Sequence, residues 1–376
     1  MIINKKYDLP EIVSQFQVDG TISGVEPHGS GHINDSFYLK NGQSDFPDYL
    51  LQRINTVIFK DVPVLMSNIS KVITHLKNKL RAIPGVQADK EVLTLVNTKD
   101  NKAYYKDLQG NYWRMYHFLR DTRSLDVIKD NTVGYEGGKA FGRFQARLID
   151  LNIDSLRETI PDFHNISKRV TDFKVAIASD PCDRKKSIQP EIEFLGSRAE
   201  RLIQLSRDVV ENATSKRITH NDTKFNNLLL DDKNRVQCVV DLDTVMPGYL
   251  AYDFGDAIRT LINSASEDEK DLDKITLNIP LFEAYTRGYL EQAIEFITPE
   301  EVTSLSAGML ILPYMQSIRF LTDYLNGDTY YKILFPEHNL QRSRAQTQLF
   351  RQIEKNLAEL EGIIRKPFIV PSPQVH

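Results

Sequence analysis

The hydrophobic period of this chain changes once, and that single change limits the folds open to it. Up to about residue 120, short apolar runs alternate with turn residues; after Asp121-Thr122-Arg123-Ser124, apolar positions recur at helical spacing. Thr21 to Pro27, then Gly29-Ser30-Gly31, then Asp35-Ser36-Phe37-Tyr38-Leu39 reads as strand, small-residue turn and strand. Further strands are expected over Asp48 to Ile54, Glu91 to Asn97, Ala103 to Lys106 and Tyr112 to Leu119. Val64, Leu65, Ile69, Val72, Ile73, Leu76 and Leu80 predict one helix among them, opened by Asp61 as its cap. Beyond the break, helices are expected over Tyr135 to Leu151, Ile166 to Ala178 and Pro190 to Val210, and almost throughout from Ala251. A chain of 376 residues is too long for one small core. The expectation is an α+β protein of two lobes, a β-rich one over 1–120 and a mostly helical one over 121–376.

Charge and composition exclude several classes of partner. The net charge is -4, and no basic stripe is interleaved with aromatic residues, so nucleic acid is not expected. No apolar run approaches the ~18 residues of a spanning helix, and the first ten residues lack an apolar targeting core. No membrane association is therefore expected, and a cytoplasmic location is. Cys182 and Cys238 lie far apart without metal-ligand spacing, which predicts reduced thiols. No repeat, low-complexity segment or feature demanding an obligate protein partner is evident.

The chemistry concentrates in His220-Asn221-Asp222-Thr223-Lys224-Phe225-Asn226-Asn227, which follows Arg217-Ile218-Thr219. Two short strands come next, Asn227 to Leu230 and Val236 to Val240, and the second delivers Asp241. Phosphoryl transfer from a nucleotide needs such a set: a carboxylate to orient the attacking hydroxyl, oxygen ligands for a metal, and a nearby cation. Asp222 is read as the carboxylate that takes the hydroxyl proton, and Lys224 as the cation that neutralises the moving phosphate. Asn227 and Asp241 supply oxygens suited to Mg²⁺, with Asp243 a second candidate two residues along. An Asp in a turn and a Lys on a surface are commonplace singly; their joint spacing carries the reading.

Several stretches resemble one superfamily, the aminoglycoside phosphotransferases and choline kinases, whose fold is the two-lobed protein-kinase-like one. Thr219 to Lys224, Asp241 to Gly248, Tyr252 to Arg259, Gly29 to Asn34 and Arg319 to Tyr324 are similar, more narrowly, to the N-acetylhexosamine 1-kinases. The resemblance implies ATP and Mg²⁺, with Asp222 as base and Asn227 and Asp241 at the metal. It also implies a sugar substrate phosphorylated on its anomeric hydroxyl and held by Asp222, Arg319 and a tyrosine of the Tyr330-Tyr331 pair. In such a lobe, Gly29, Ser30 and Gly31 would cover the nucleotide phosphates through backbone N–H groups. His32 and Asn34 become candidates for phosphate or sugar contacts, and adenine is expected near Tyr116, His117 and Phe118.

The chain departs from protein kinases in one respect. Their Val-Ala-Ile-Lys strand is replaced by Tyr49-Leu50-Leu51-Gln52-Arg53-Ile54, leaving Arg53 as the cation for the nucleotide phosphates. The following helix offers it no acidic partner, since Val62 to Lys79 contains none. Asp253-Phe254-Gly255 spells a kinase metal signature but lies too far beyond Asp222, and Asp253 is read as an N-cap or as a buried acceptor bracing the catalytic loop. Asp256 and Arg259 are read as an i,i+3 pair. Two alternatives stand beside the sugar kinase. A choline, amino-alcohol or aminoglycoside kinase would want an aromatic cage or an acidic pocket, and a catalytically silent nucleotide-binding module would be marked by loss of Asp222, Asn227 or Asp241.

Overall fold

The computed structural model describes residues 7–29 and 33–368 and separates them into two compact units. The first comprises residues up to Arg123 together with Asp150–Pro161 and Leu229–Met246. The second comprises Ser124–Ile149, Asp162–Leu228 and Pro247 onward.

The first unit is built on an antiparallel sheet. Helix α1 (Leu9–Ser14) precedes β1 (Ile22–Pro27), β2 (Asp35–Asn41) and β3 (Tyr49–Ile54). Then come α2 (Val62–Arg81), a turn of helix α3 (Ala88–Glu91), and β4 (Leu95–Val96), β5 (Tyr105–Lys106) and β6 (Tyr112–His117). The strand order is β1-β2-β3-β6-β4, with β5 also pairing β6. Side chains alternate across the pleat, so Phe37, Leu39, Tyr49, Leu51, Trp113 and Met115 share one face and pack on Leu9, Ile12 and Phe16. Arg114 and Tyr116 therefore point to the other face. Asp61 caps α2 as expected, its Oδ1 accepting the Val64 N–H. The strand expected over Glu91 to Asn97 is shorter: Glu91 ends a helical turn, and only Leu95–Val96 pairs with β6.

The second unit is mostly helical: α4 (Asn131–Leu148), α5 (Ile166–Ser179) and α6 (Gln189–Leu205), the last continued by a wider π-type turn over Ser206–Glu211. The short β7 (Arg217–Thr219) leads into the motif loop. Next in the chain, β8 (Leu228–Leu230) and β9 (Val236–Val239) form the expected hairpin, which falls almost wholly in the first unit, and β10 (Met246–Gly248) pairs with β7. Five α-helices follow among the described residues: α7 (Leu250–Leu261), α8 (Ile279–Ala293), α9 (Pro299–Leu325), α10 (His338–Lys355) and α11 (Leu357–Arg365). Thr298 and Glu301 close a reciprocal capping box at the head of α9. The sheet-rich first unit and helix-rich second unit give the α+β organisation of a protein-kinase-like two-lobed fold. No helix among the described residues is long and apolar enough to cross a membrane.

Candidate active site

The motif loop is held from beneath by one carboxylate. Asp253 accepts the backbone N–H groups of His220 (2.8 Å) and Asn221 (2.6 Å) and the Gln145 amide (2.8 Å). Thr223 Oγ1 donates to the Asp253 carbonyl. Burial pushes the Asp253 carboxyl up, yet both oxygens act as acceptors, which is the geometry of a carboxylate. Tyr249 occupies the N-cap position of α7, so the N-cap alternative for Asp253 is corrected and the buried-acceptor one describes it. Asn221 takes a left-handed backbone (φ 62°), a conformation Asn tolerates better than most residues. Gly248 leaves room for it, since a Cβ there would meet Thr219 Oγ1 at 2.2 Å and Asn221 Oδ1 at 2.6 Å.

From this platform three expected residues converge. Asn227 Nδ2 donates to the Asp222 carbonyl (2.8 Å) and to Asp222 Oδ2 (3.1 Å), and Lys224 Nζ lies 3.1 Å from Asp222 Oδ1. Burial raises the Asp222 carboxyl, but Lys224, His220 and the Asn227 amide outweigh it and hold the group below the usual carboxylate range. Asp222 in turn raises Lys224. His164, which the sequence reading did not single out, donates from Nε2 to the Asn221 carbonyl at 3.1 Å. Burial lowers it to about 4, so it is neutral at pH 7.

In the first unit the expected residues make a second group. Asp241 lies two residues past the end of β9 in a left-handed conformation (φ 58°). Two residues on, Asp243 is buried and grips Arg114 of β6 through both oxygens, Nη2 to Oδ2 at 3.0 Å and Nη1 to Oδ1. Asn34 Nδ2 also donates to Asp243 Oδ2 (2.8 Å), and Asn34 Oδ1 accepts the Asn55 N–H (3.0 Å). Arg53 does have an acidic partner, but on the strand before it: its Nε donates to Asp35 Oδ2 at 2.7 Å. The buried Tyr116 ring lies under Arg114 (5.4 Å), and the Phe118 ring packs edge-on against Tyr38 (4.7 Å). The N–H groups of His117 and Phe118 go to the carbonyls of Thr94 and Asp48. Gly29 has φ 78°, and Ser30, Gly31 and His32 lie outside the described residues.

A family model described as the phosphotransferase enzyme family matches residues 24–296. The chain belongs to this family. It is a phosphotransferase acting on a hydroxyl acceptor. The superfamily that its motifs resemble is thus the one that contains it. Among solved structures it is similar to an aminoglycoside phosphotransferase from Alicyclobacillus acidocaldarius, at TM-score 0.64 and 14% identity over 95% of this chain and 96% of that one. It is similar also to an amicoumacin kinase solved in complex with AMP-PNP, Ca²⁺ and Ami (TM-score 0.62, 10% identity, 93% and 95% covered). A choline kinase from Cryptosporidium parvum matches at TM-score 0.55 and 15% identity, with 92% of each chain covered. At these identities the likeness establishes the fold alone.

On the helical unit of this phosphotransferase, charged groups continue outward from Lys224. Arg259 spans Asp256 (3.0 and 2.8 Å) and Glu267 (2.5 Å), as its sequence spacing from Asp256 predicts. Lys224 lies within electrostatic reach of all three. Arg319 on α9 also feels Arg259. Its guanidinium stands 5.6 Å from the ring centres of both Phe163 and Tyr331 and donates to Gln316 (3.1 Å). Tyr330 is exposed, and its backbone N–H and that of Tyr331 are fixed by Asp323 (2.8 and 2.9 Å). Arg169 donates to the carbonyls of Asp162 and Phe163 and is lowered by burial and by Arg319. Among the described residues, no carboxylate stands within ion-pair distance of Arg319 or Arg169.

Proposed function

We propose that this phosphotransferase moves the terminal phosphoryl group of ATP to a hydroxyl of a neutral sugar, the anomeric hydroxyl of an N-acetylhexosamine in the simplest case. One observation carries the choice of substrate: the charge balance around Arg319. The carboxylates of Asp256 and Glu267 are already spanned by Arg259, whereas among the described residues no carboxylate stands within ion-pair distance of Arg319 or Arg169, and only the more distant Asp172 acts on Arg169. An amine-bearing antibiotic or a quaternary ammonium alcohol would meet surplus positive charge there, at a cost that low dielectric raises. A sugar would instead present oxygens to the Arg319 fork. Tyr330 completes the sugar contacts in this reading, and His32 and Asn34 line the phosphate or sugar end.

Asp222 orients the acceptor hydroxyl and receives its proton as the new P–O bond forms and the bond to the ADP oxygen breaks. Held below the usual carboxylate range, it is a weak base, which suits a loose transition state in which the proton leaves late. Lys224 balances charge on the passing phosphoryl group. Mg²⁺ supplies charge neutralisation to the ATP phosphates when bound. Asn227 and Asp241 are the proposed ligands, and the donor chemistry fits: the Asn227 amide nitrogen faces Asp222, so its oxygen points away from that carboxylate. Among the described residues no cluster of three or more His, Cys, Asp or Glu is positioned to hold a metal. A magnesium ion here would take most of its ligands from phosphate and water. Gly29 to Gly31 and Arg53 are proposed at the nucleotide phosphates. Adenine is proposed beside Tyr116 and Phe118, contacting carbonyls or backbone from Leu119 onward because the two preceding N–H groups are committed.

An ADP-release assay with ATP, Mg²⁺ and a panel of N-acetylglucosamine, N-acetylgalactosamine, glucose, choline and kanamycin tests the proposal. Turnover with an N-acetylhexosamine is expected. Turnover confined to choline or kanamycin would overturn the substrate class.

A further inference from the structure

Arg114 carried no functional mark in the sequence, yet it is a fully buried cation of the sheet unit held by three side-chain hydrogen bonds. It is 1% exposed on β6, between the core residues Trp113 and Met115 but on the opposite face. Its fork takes both oxygens of Asp243, and its Nε donates to Gln52 of β3 at 3.0 Å. Asp243 then collects Asn34 at the head of β2, and Asn34 collects the backbone of Asn55 at the end of β3. Thr159 closes the set by donating to the Asp243 carbonyl at 3.0 Å. Three strands and the 241–244 segment are thus tied at one buried charge pair.

An ion pair is a poor choice for adhesion alone. Desolvating both charges costs about as much as their attraction returns, and apolar replacements of similar volume are often as stable. What the pair supplies is direction. It clamps the segment two residues beyond Asp241, which sits in a left-handed conformation that few side chains adopt readily. The Asp241 carboxylate also lies within electrostatic reach of the same guanidinium. Meanwhile the third strand and α2 supply no lysine–glutamate pair.

We propose that the Arg114–Asp243 pair, steadied by Asn34, is the positioning device that aims Asp241 at the nucleotide-bound magnesium. The inference rests on the assignment of Asp241 as a metal ligand. Arg114 and Asp243 are positioning residues, acting through Asp241. Groups that orient a metal ligand from behind typically change metal affinity by ~10–100-fold when removed.

The test measures ADP binding to the full chain with and without Mg²⁺, by titration calorimetry, for the wild type and three variants: Asp243→Asn, Asn34→Ala and the apolar pair Arg114→Met/Asp243→Leu. The expected result for the apolar pair and for Asp243→Asn is a metal-free ADP affinity within about twofold of wild type, with the tightening caused by Mg²⁺ reduced by ~10-fold or more. Asn34→Ala should lose part of it. Loss of Mg²⁺ coupling in a variant that keeps its melting temperature separates aim from adhesion. If the apolar pair folds and still tightens on ADP with Mg²⁺ as the wild type does, the proposal is overturned. If the apolar pair does not fold, Asp243→Asn decides, and wild-type coupling in it overturns the proposal equally. Failure of the wild type itself to bind ADP would instead remove the nucleotide reading on which this inference stands.

Discussion

Asp222 meets its neighbours at three points, the Asn227 amide on two of its oxygens and Lys224 on the third, and all come from the same eight-residue loop. Replacing it by Ala should lower kcat by ~10²–10⁴-fold while leaving ADP affinity within a few-fold, because it serves the acceptor hydroxyl rather than the nucleotide. Steady-state kinetics together with an ADP titration check this; near-normal kcat would exclude Asp222 as the base. This much was legible, because the convergent residues are close in sequence. His164 and Arg114 were not, since their partners Asn221 and Asp243 lie far along the chain. The one local trace was a charged residue within Tyr112-Trp113-Arg114-Met115-Tyr116, an otherwise apolar and aromatic strand. His164 also gives a pH dependence with a definite sign. Its folded value of about 4 lies below the unfolded one near 6.5, so the unfolded chain binds the extra proton first. The charged groups acting on it are Asp256, which raises it, and Arg319 and Arg169, which lower it. Stability should be full above pH 6.5 and fall as pH drops towards 4, by up to about 3 kcal/mol from this group. His164→Phe should flatten that part of the curve, measured by urea unfolding between pH 4 and 7.

At the level of elements, helical spacing exposed α2, α4, α5 and most of α6, but not the closeness of the helix crossings. Where α7 meets α9, a Cβ on Gly308 would stand 1.8 Å from the Ala251 carbonyl oxygen, and one on Gly255 would stand 2.3 Å from that of Gly308. Backbone itself is the obstacle, so relief requires the helices to separate. Gly308→Ala should therefore cost at least ~1–3 kcal/mol. Gly196 in α6 has nothing within 4 Å of its added Cβ, and Gly196→Ala should stabilise by ~0.5–1 kcal/mol through helix propensity. Thermal melts of the two variants should move in opposite directions. The π-type turn at Ser206–Glu211 had no sequence signature, because apolar spacing alone does not tell α from π winding. There Ser206 shares a buried hydrogen bond with Tyr252 (2.8 Å), a pairing of residues far apart in the chain.

For the whole molecule, the change of period near residue 120 conveyed the order of sheet and helices but not how the chain shares residues between its units. The first unit takes in 150–161 and 229–246. Asn68 illustrates why: it is buried on α2 and donates to the carbonyls of Arg157 (2.7 Å) and Val245 (3.3 Å), so that helix needs both later segments. A 1–123 fragment keeps one apolar face of the sheet but leaves Arg114 without Asp243 and Asn68 without its acceptors. It should show no cooperative thermal transition by calorimetry, whereas the full chain should; a sharp transition in the fragment would contradict this account.

The interleaving has a consequence during synthesis. Residue 246 leaves the ribosome 123 residues after residue 123. At ~5–20 residues per second, that is a wait of roughly 6–25 s. Throughout it the nascent sheet presents an unfinished surface with an unmatched guanidinium, a natural target for chaperones, so slowing translation between the two points should deepen the chain's dependence on them.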